Sequence, residues 1–306
     1  MDKKIVTLVG ATGYLGQKIA KELIQQGAHV RAMLRPSANR TALGKLGVTD
    51  FVLGDMMNPA SLKKALAKSP QADIVIASAA GYTAHTKGDT QKTDTEGYHN
   101  LVHAAKAANI SRFVLISILE CDKAVGVPHF YHKHLTEKYL KEIGQPFIAL
   151  RPGAFLDQAN DLVFPKVKKG IYPAFIPGVS LGMIYTADLA RYAAMAAVKV
   201  PESELGTTVD VGWEKPVSGE EIAAAFSKIL EKKVVSKPAF PGFVVNVVLP
   251  FVSLFSPSVK DMLSMVKWIK TGVYTSKNTK KQKELFSDLP TVEEAVSRYC
   301  KDMKLV

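Results

Sequence analysis

The stretch Lys4-Ile5-Val6-Thr7-Leu8-Val9-Gly10-Ala11-Thr12-Gly13-Tyr14-Leu15-Gly16 decides the fold. An apolar run that ends in closely spaced glycines and passes into a helical pattern predicts a β-strand, a tight turn and a helix N-terminus. Such a turn presents bare backbone amides to a phosphate, where the helix dipole favours negative charge. The expected contacts are Gly10, Thr12, Gly13, Tyr14, Leu15 and Gly16. Their spacing is not the commonest dinucleotide fingerprint, so the surrounding pattern has to carry the assignment.

The next strand, His29-Val30-Arg31-Ala32-Met33-Leu34, ends where an NAD-specific site places an acid on the ribose 2′-hydroxyl, about 20 residues beyond the glycines. No Asp or Glu occurs between Glu22 and Asp50. Arg35 stands at the strand end instead, followed by Ser37, Asn39 and Arg40. A guanidinium with hydroxyl and amide donors beside it suits a 2′-phosphate, so the expected cofactor is NADP(H). The alternative reading makes Arg35 a solvated loop residue, which leaves the missing acid unexplained.

Further strands are expected at 48–53, 73–78, 111–117 and 146–151, with helices at 14–26, 59–68, 94–108 and 131–143 between them. Alternating strands and helices demand an α/β architecture, a Rossmann-type doubly wound parallel sheet with ligands at the carboxyl ends of the strands. After Arg151 the rhythm is broken by prolines and glycines. A helix at about 187–198 with Thr186 as cap, a strand at 206–211 and a helix at 219–231 capped by Ser218 follow. The expected division is a cofactor-binding domain over 1–151, with elements returning to it near 184–212, and a smaller, mainly helical substrate-binding part over 152–306.

Composition agrees with a globular chain: 306 residues, 47% hydrophobic and 22% charged, with a formal net charge of +12. The basic excess suits anionic cofactors, acidic substrates or a membrane surface, while no zinc spacing or RNA-binding signature points to nucleic acid. Cys121 and Cys300 are too few for a disulfide framework and fit a reducing cytoplasm, as does the lack of an export signal before the first strand. Residues 238–259 carry no charge at all. Pro241, Gly242, Asn246, Pro250 and Pro257 interrupt them too often for a membrane-spanning helix. Two readings stand: the wall of an apolar substrate pocket, or a segment dipping into a lipid surface beside Lys260, Lys267 and Lys270.

The motifs taken together resemble the atypical short-chain dehydrogenase/reductase superfamily and its NmrA-like branch over nearly the whole chain. The marks are GATGYLG at 10–16, Arg35, Gly54-Asp55, Lys133 in HKHLTEKYL, RPGAF at 151–155 and Tyr185-Thr186-Ala187-Asp188-Leu189-Ala190. The resemblance implies Asp55 and Met56 near an adenine, and Ala77, Ser78 and Ala79 along the path to a nicotinamide. Pro152 and Phe155 complete the implied cofactor contacts. Asp55 reads equally well as a turn or cap acid.

Lys133 is the expected catalytic support, holding the nicotinamide ribose and lowering the pKa of a proton donor. The family's tyrosine four residues earlier is replaced here by His129, whose imidazole suits proton transfer near neutrality. Tyr131, two residues from Lys133, takes that role only if the chain near Pro128 is not yet helical. His129 as a loop residue without a role is the competing reading. Ser117 matches the family's polarising serine, or else bonds to the backbone. Tyr82, Thr83 and His85, with Phe155, Gln158 and Asn160, are expected to face the substrate. No metal-ligand cluster is recognised in the sequence. The leading expectation is an NADPH-dependent reductase acting on a carbonyl or activated alkene of a small apolar molecule. A non-catalytic NADP(H) sensor and an epimerase or dehydratase are the alternatives.

Overall fold

A computed structural model describes residues 3–81, 90–157, 160–276 and 279–306. The expected substrate residues Tyr82, Thr83, His85 and Gln158 lie outside the described residues. In chain order the elements begin with β1 (Ile5–Val9), α1 (Tyr14–Gln25), β2 (His29–Leu34), α2 (Thr41–Lys45), β3 (Asp50–Leu53), α3 (Pro59–Leu66) and β4 (Ile74–Ala77). A π-helical stretch, Gln91–Gly97, then runs into α4 (Tyr98–Ala107), followed by β5 (Arg112–Ile116), α5 (Pro128–Glu142) and β6 (Phe147–Pro152). The chain continues through β7 (Ala154–Phe155), α6 (Asn160–Lys168), β8 (Ile171–Ala174), β9 (Met183–Ile184), α7 (Thr186–Val198) and β10 (Thr207–Val211). It ends with α8 (Gly219–Ile229), β11 (Val235–Pro238), α9 (Leu249–Ser253), α10 (Pro257–Ile269), α11 (Thr279–Phe286) and α12 (Val292–Asp302).

The chain separates into two compact units, Met1–Arg151 with Ala187–Val209, and Pro152–Thr186 with Asp210–Val306. The first holds the Rossmann-type sheet, seven strands in the order β10-β6-β5-β4-β1-β2-β3. Consecutive pairs from β6 to β3 are parallel. A parallel strand covered on both faces reads as a continuous apolar run, which is how the sequence reads. Val9, Val75, Ala77, Phe113, Leu115 and Phe147 join one core with Leu62, Leu66, Leu101 and Val102 of α3 and α4. The alternate residues Val6, Leu8, Ile76, Val114 and Ile148 are buried as well.

Several boundaries differ from expectation for local reasons. The helix expected from 131 begins at Pro128, because proline at the first turn has no N–H to leave unsatisfied and a φ already near helical. The helix expected over 94–108 opens with the π-helical stretch, which carries Asp94 inward. Thr186 was expected to cap a helix but lies within it: its N–H and hydroxyl both donate to the buried Asp157, which satisfies the helix start in its place. Ser218 caps α8 as expected, in a reciprocal capping box with Glu221.

The second unit has two small ladders, β7 with β9 and β8 with β11, and is otherwise helical. Its centre is aromatic: the Tyr299 ring meets Phe226 at 5.7 Å and Tyr185 at 5.8 Å, edge to face. Each phenol finds a partner, Tyr185 donating to Asp302 Oδ2 at 2.7 Å and Tyr299 to Asn160 Oδ1 at 2.8 Å. Gln282, fully buried, accepts from the Gly212 N–H at 2.8 Å and returns a bond to the Gly212 carbonyl at 2.9 Å. Replacing it leaves a backbone donor and acceptor unpaired in the interior. Gln282→Ala is expected to lower unfolding stability by ~2–6 kcal/mol, two orphaned groups at ~1–3 each, measurable by urea denaturation.

Candidate functional site

The strand order reverses between β1 and β4, and the glycine turn sits at the carboxyl end of β1 there. Gly10 has φ +82°, and a Cβ on it would lie 2.7 Å from the Ala79 nitrogen and 2.9 Å from Ser78 Oγ. A Cβ on Gly16 would lie 2.1 Å from the Gly10 carbonyl oxygen. Glycine is therefore required twice, once for a left-handed backbone against β4 and once so that α1 can pack onto the turn. Gly13 donates to the Gly10 carbonyl at 3.1 Å and gives α1 no side-chain cap. Thr12, Gly13 and Tyr14 are exposed and no acidic residue occupies the first turn of α1, so the positive end of the helix dipole faces outward.

Beside this turn β2 ends in exposed Arg35, with Ser37, Asn39 and Arg40 also exposed. Among the described residues no carboxylate pairs with Arg35. The Arg40 guanidinium lies 5.5 Å from the Phe51 ring centroid, and Asn39 Oδ1 accepts the Thr41 N–H at 2.9 Å. Asp55 Oδ1 accepts the Met57 N–H at 2.9 Å, the turn-closing role open to it from sequence. Met56 accepts a 3.0 Å bond from Asn100 on its carbonyl. Ala77 is buried in β4, and the Ser78 hydroxyl donates to the Val9 carbonyl at 2.9 Å, tying β4 to β1.

Lys133 is buried in α5, and its ammonium lies 2.7 Å from Asp94 Oδ1 and donates to the Ala79 carbonyl at 3.0 Å. It also sits 4.0 Å from the Tyr98 ring centroid, and the Tyr98 hydroxyl donates to the same carbonyl at 2.6 Å. Burial disfavours the charge on Lys133, but Asp94 and Tyr98 outweigh it and raise its pKa. Asp94 Oδ2 also accepts the Gly81 N–H at 2.8 Å. The lysine thus fixes the backbone that leaves β4, through a partner 39 positions away that no sequence spacing disclosed.

Ser117 belongs to a second buried network. Its hydroxyl donates to Glu137 Oε1 at 2.6 Å, and Arg151 grips the same carboxylate twice, at 2.9 and 2.5 Å. Arg151 also holds Asp122 at 2.9 Å. Burial works against the charge on Glu137, yet the bonds from Arg151 and Ser117 keep its pKa at about 2. Cys121, His134 and Glu137 bring potential metal-ligand atoms within 4.8 Å, a cluster the sequence did not reveal. The carboxylate already serves Arg151, and burial with the neighbouring Glu137 charge pushes the Cys121 thiol up to about 12, suppressing the thiolate a metal needs. Both cysteines are free and buried.

Since α5 is helical from Pro128, the condition for Tyr131 as the donor fails: two residues turn the helix by about 200°, away from the Lys133 face. His129, four residues before Lys133 in the same helix, is buried and shares that face. In the second unit, Phe155 is half-buried opposite Ile184, Pro152 is buried, and the Asn160 amide is held by Tyr299 and Met303.

The chain matches the NmrA-like family over residues 2–296. A photosystem II assembly factor of Cyanophora paradoxa is 28% identical over 194 residues, which are 63% of this chain and 59% of that protein. The match spans well under two thirds of that relative. An NADPH-dependent quinone oxidoreductase of Escherichia coli, solved with NADPH, superposes with TM-score 0.73 at 19% identity, covering 96% of this chain and 99% of that one. The triphenylmethane reductase of a Citrobacter species, solved with NADP(H), gives TM-score 0.73 at 21% identity over 96% and 99% of the two chains. At these identities the likeness is one of fold.

Two outcomes follow from the site geometry. Gly16→Ala is expected to cost ~1–3 kcal/mol by forcing α1 off the turn, seen as a lower thermal midpoint. Because the pKa of Glu137 falls on folding from 4.5 to about 2, its network contributes stability that is complete above about pH 4.5 and is lost as pH drops towards 2. Glu137→Gln is expected to flatten the acid limb of a stability-versus-pH curve and, by stranding Arg151, to cost ~3–5 kcal/mol at neutrality.

Proposed function

Because the chain belongs to the NmrA-like family, we propose that its first unit binds NADP(H) and that the protein reduces a carbonyl or activated alkene of a small, largely apolar molecule. The observation that carries the cofactor assignment is the pairing of a turn with no room for a Cβ at Gly10 or Gly16 with an exposed, acid-free Arg35 at the next strand end. The glycine turn and the start of α1 would hold the pyrophosphate, and Arg35 with Ser37, Asn39 and Arg40 the 2′-phosphate. Small residues at Ala77, Ser78 and Ala79 would leave room beyond β4. The cofactor supplies the hydride when bound. Lys133 acts as a positioning residue, holding the Ala79 carbonyl and Asp94, while His129 is the proposed proton donor. The fold shared with two NADPH-linked reductases supports this class of reaction.

A second reading, an NADP(H)-binding regulator without turnover, has its own support. Lys133 is spent on Asp94 and Ser117 on Glu137, so two of the expected catalytic groups are engaged within the protein. An assembly factor among the relatives points the same way. Calorimetric titration with NADPH and NADH, followed by absorbance of the reduced nicotinamide against quinones, aldehydes and enones, separates the two. NADPH is expected to bind more tightly than NADH, and Arg35→Ala to weaken NADPH alone about tenfold, or ~1.4 kcal/mol. Equal or tighter NADH binding removes the Arg35 assignment. Binding without oxidation across the panel favours the regulator.

A further inference from the structure

The uncharged stretch 238–259 does not fold inward. Pro241 is followed by a continuous helical segment whose middle, Val244–Val248, is a π-helical turn leading directly into α9. The wide turn accommodates Pro250, which has no N–H to donate and whose ring would crowd a regular helical carbonyl. No residue from 240 to 255 is buried. Phe243, Val247, Phe251 and Phe255 recur every fourth residue on one side and are 66, 65, 65 and 77% exposed, with Leu254 at 74% beside them. Eight of the fifteen exposed large apolar side chains among the described residues fall in these sixteen positions. Scattered exposed apolar residues are ordinary, but a contiguous face of this kind is a contact surface.

Charge identifies what covers it. Between Lys232 and Lys283 the chain has ten lysines and a single acidic residue, Asp261, which is buried. Lys232, Lys233 and Lys237 precede the apolar face and Lys260, Lys267 and Lys270 follow it, all exposed. A second copy of the chain would bring lysines against lysines. An anionic lipid layer instead offers headgroups to the lysines and an acyl boundary to the phenylalanines. Among the described residues no helix is long and apolar enough to cross a membrane, so the segment lies along the surface. We infer that the face formed by residues 240–255 docks the protein onto an anionic bilayer surface.

The test is co-sedimentation of the full chain with vesicles of phosphatidylcholine alone and of phosphatidylcholine mixed with phosphatidylglycerol. Binding to the mixed vesicles is expected to exceed binding to the neutral ones about tenfold or more, and to weaken at high salt. Phe251→Ser with Phe255→Ser, both at exposed positions, is expected to reduce binding about tenfold or more with an unchanged thermal midpoint. Phe251→Trp is expected to shift its emission to the blue only when mixed vesicles are added. Absence of binding, binding that survives the double serine variant, or a vesicle-independent dimer in sedimentation velocity that the same variant dissolves, would each overturn the inference.

Discussion

The meeting of β1, α1 and β4 at backbone contact distance is the constraint on which the first unit depends. Side chains at Gly10 and Gly16 would occupy the space of the Ala79 nitrogen and the Gly10 carbonyl. Their absence lets α1 begin directly off the strand with no side chain capping it, and brings the exit of β4 alongside. That exit is then secured from above: Ser78 bonds back to β1, and the Ala79 carbonyl accepts from both Tyr98 and Lys133. An uncapped helix start and the small residues Ala77, Ser78 and Ala79 lie next to one another because the same close approach produces both.

Helix α5 supplies the second ordering principle. Lys133 and Glu137 are one turn apart and both buried, yet they do not pair with each other. Lys133 reaches Asp94 in the π-helical stretch, and Glu137 reaches Arg151 at the end of β6. Removing two charges from water is expensive, and each pair recovers the cost only with full hydrogen bonding around it. The Gly81 N–H on Asp94 and the Ser117 hydroxyl on Glu137 supply part of that bonding. The pairs therefore fix where α5 sits against its neighbours more than they add to stability. Lys133 and Ser117, expected from sequence to serve catalysis, are drawn into this framework, and the proposed proton donor is His129 on the Lys133 face.

The second unit shows a different use of apolar residues. An aromatic centre of Tyr172, Tyr185, Phe226 and Tyr299 buries its rings and satisfies two of its hydroxyls through Asp302 and Asn160. The phenylalanines of 240–255 remain outside. Neither an apolar pocket wall nor a surface face could be excluded from composition, since both are runs without charge. Exposure separates them.

Strand and helix positions in the first half were legible because period and glycine spacing are local: a strand face, a turn and a helix start are each written in fewer than twenty consecutive residues. The same holds for the acid-free end of β2 and for the Ser218 cap. What the chain could not disclose by itself was any pairing across distance. Asp94 lies 39 residues from Lys133, Glu137 lies 20 from Ser117, and Asp157 takes the capping part that Thr186 had from sequence. Residue identity determined the tight glycine turn and the absent acid at the end of β2. Only the packing of distant elements decided which buried charges neutralise one another, and which apolar run is left facing outward, because those outcomes depend on who is near in space rather than who is next in the chain.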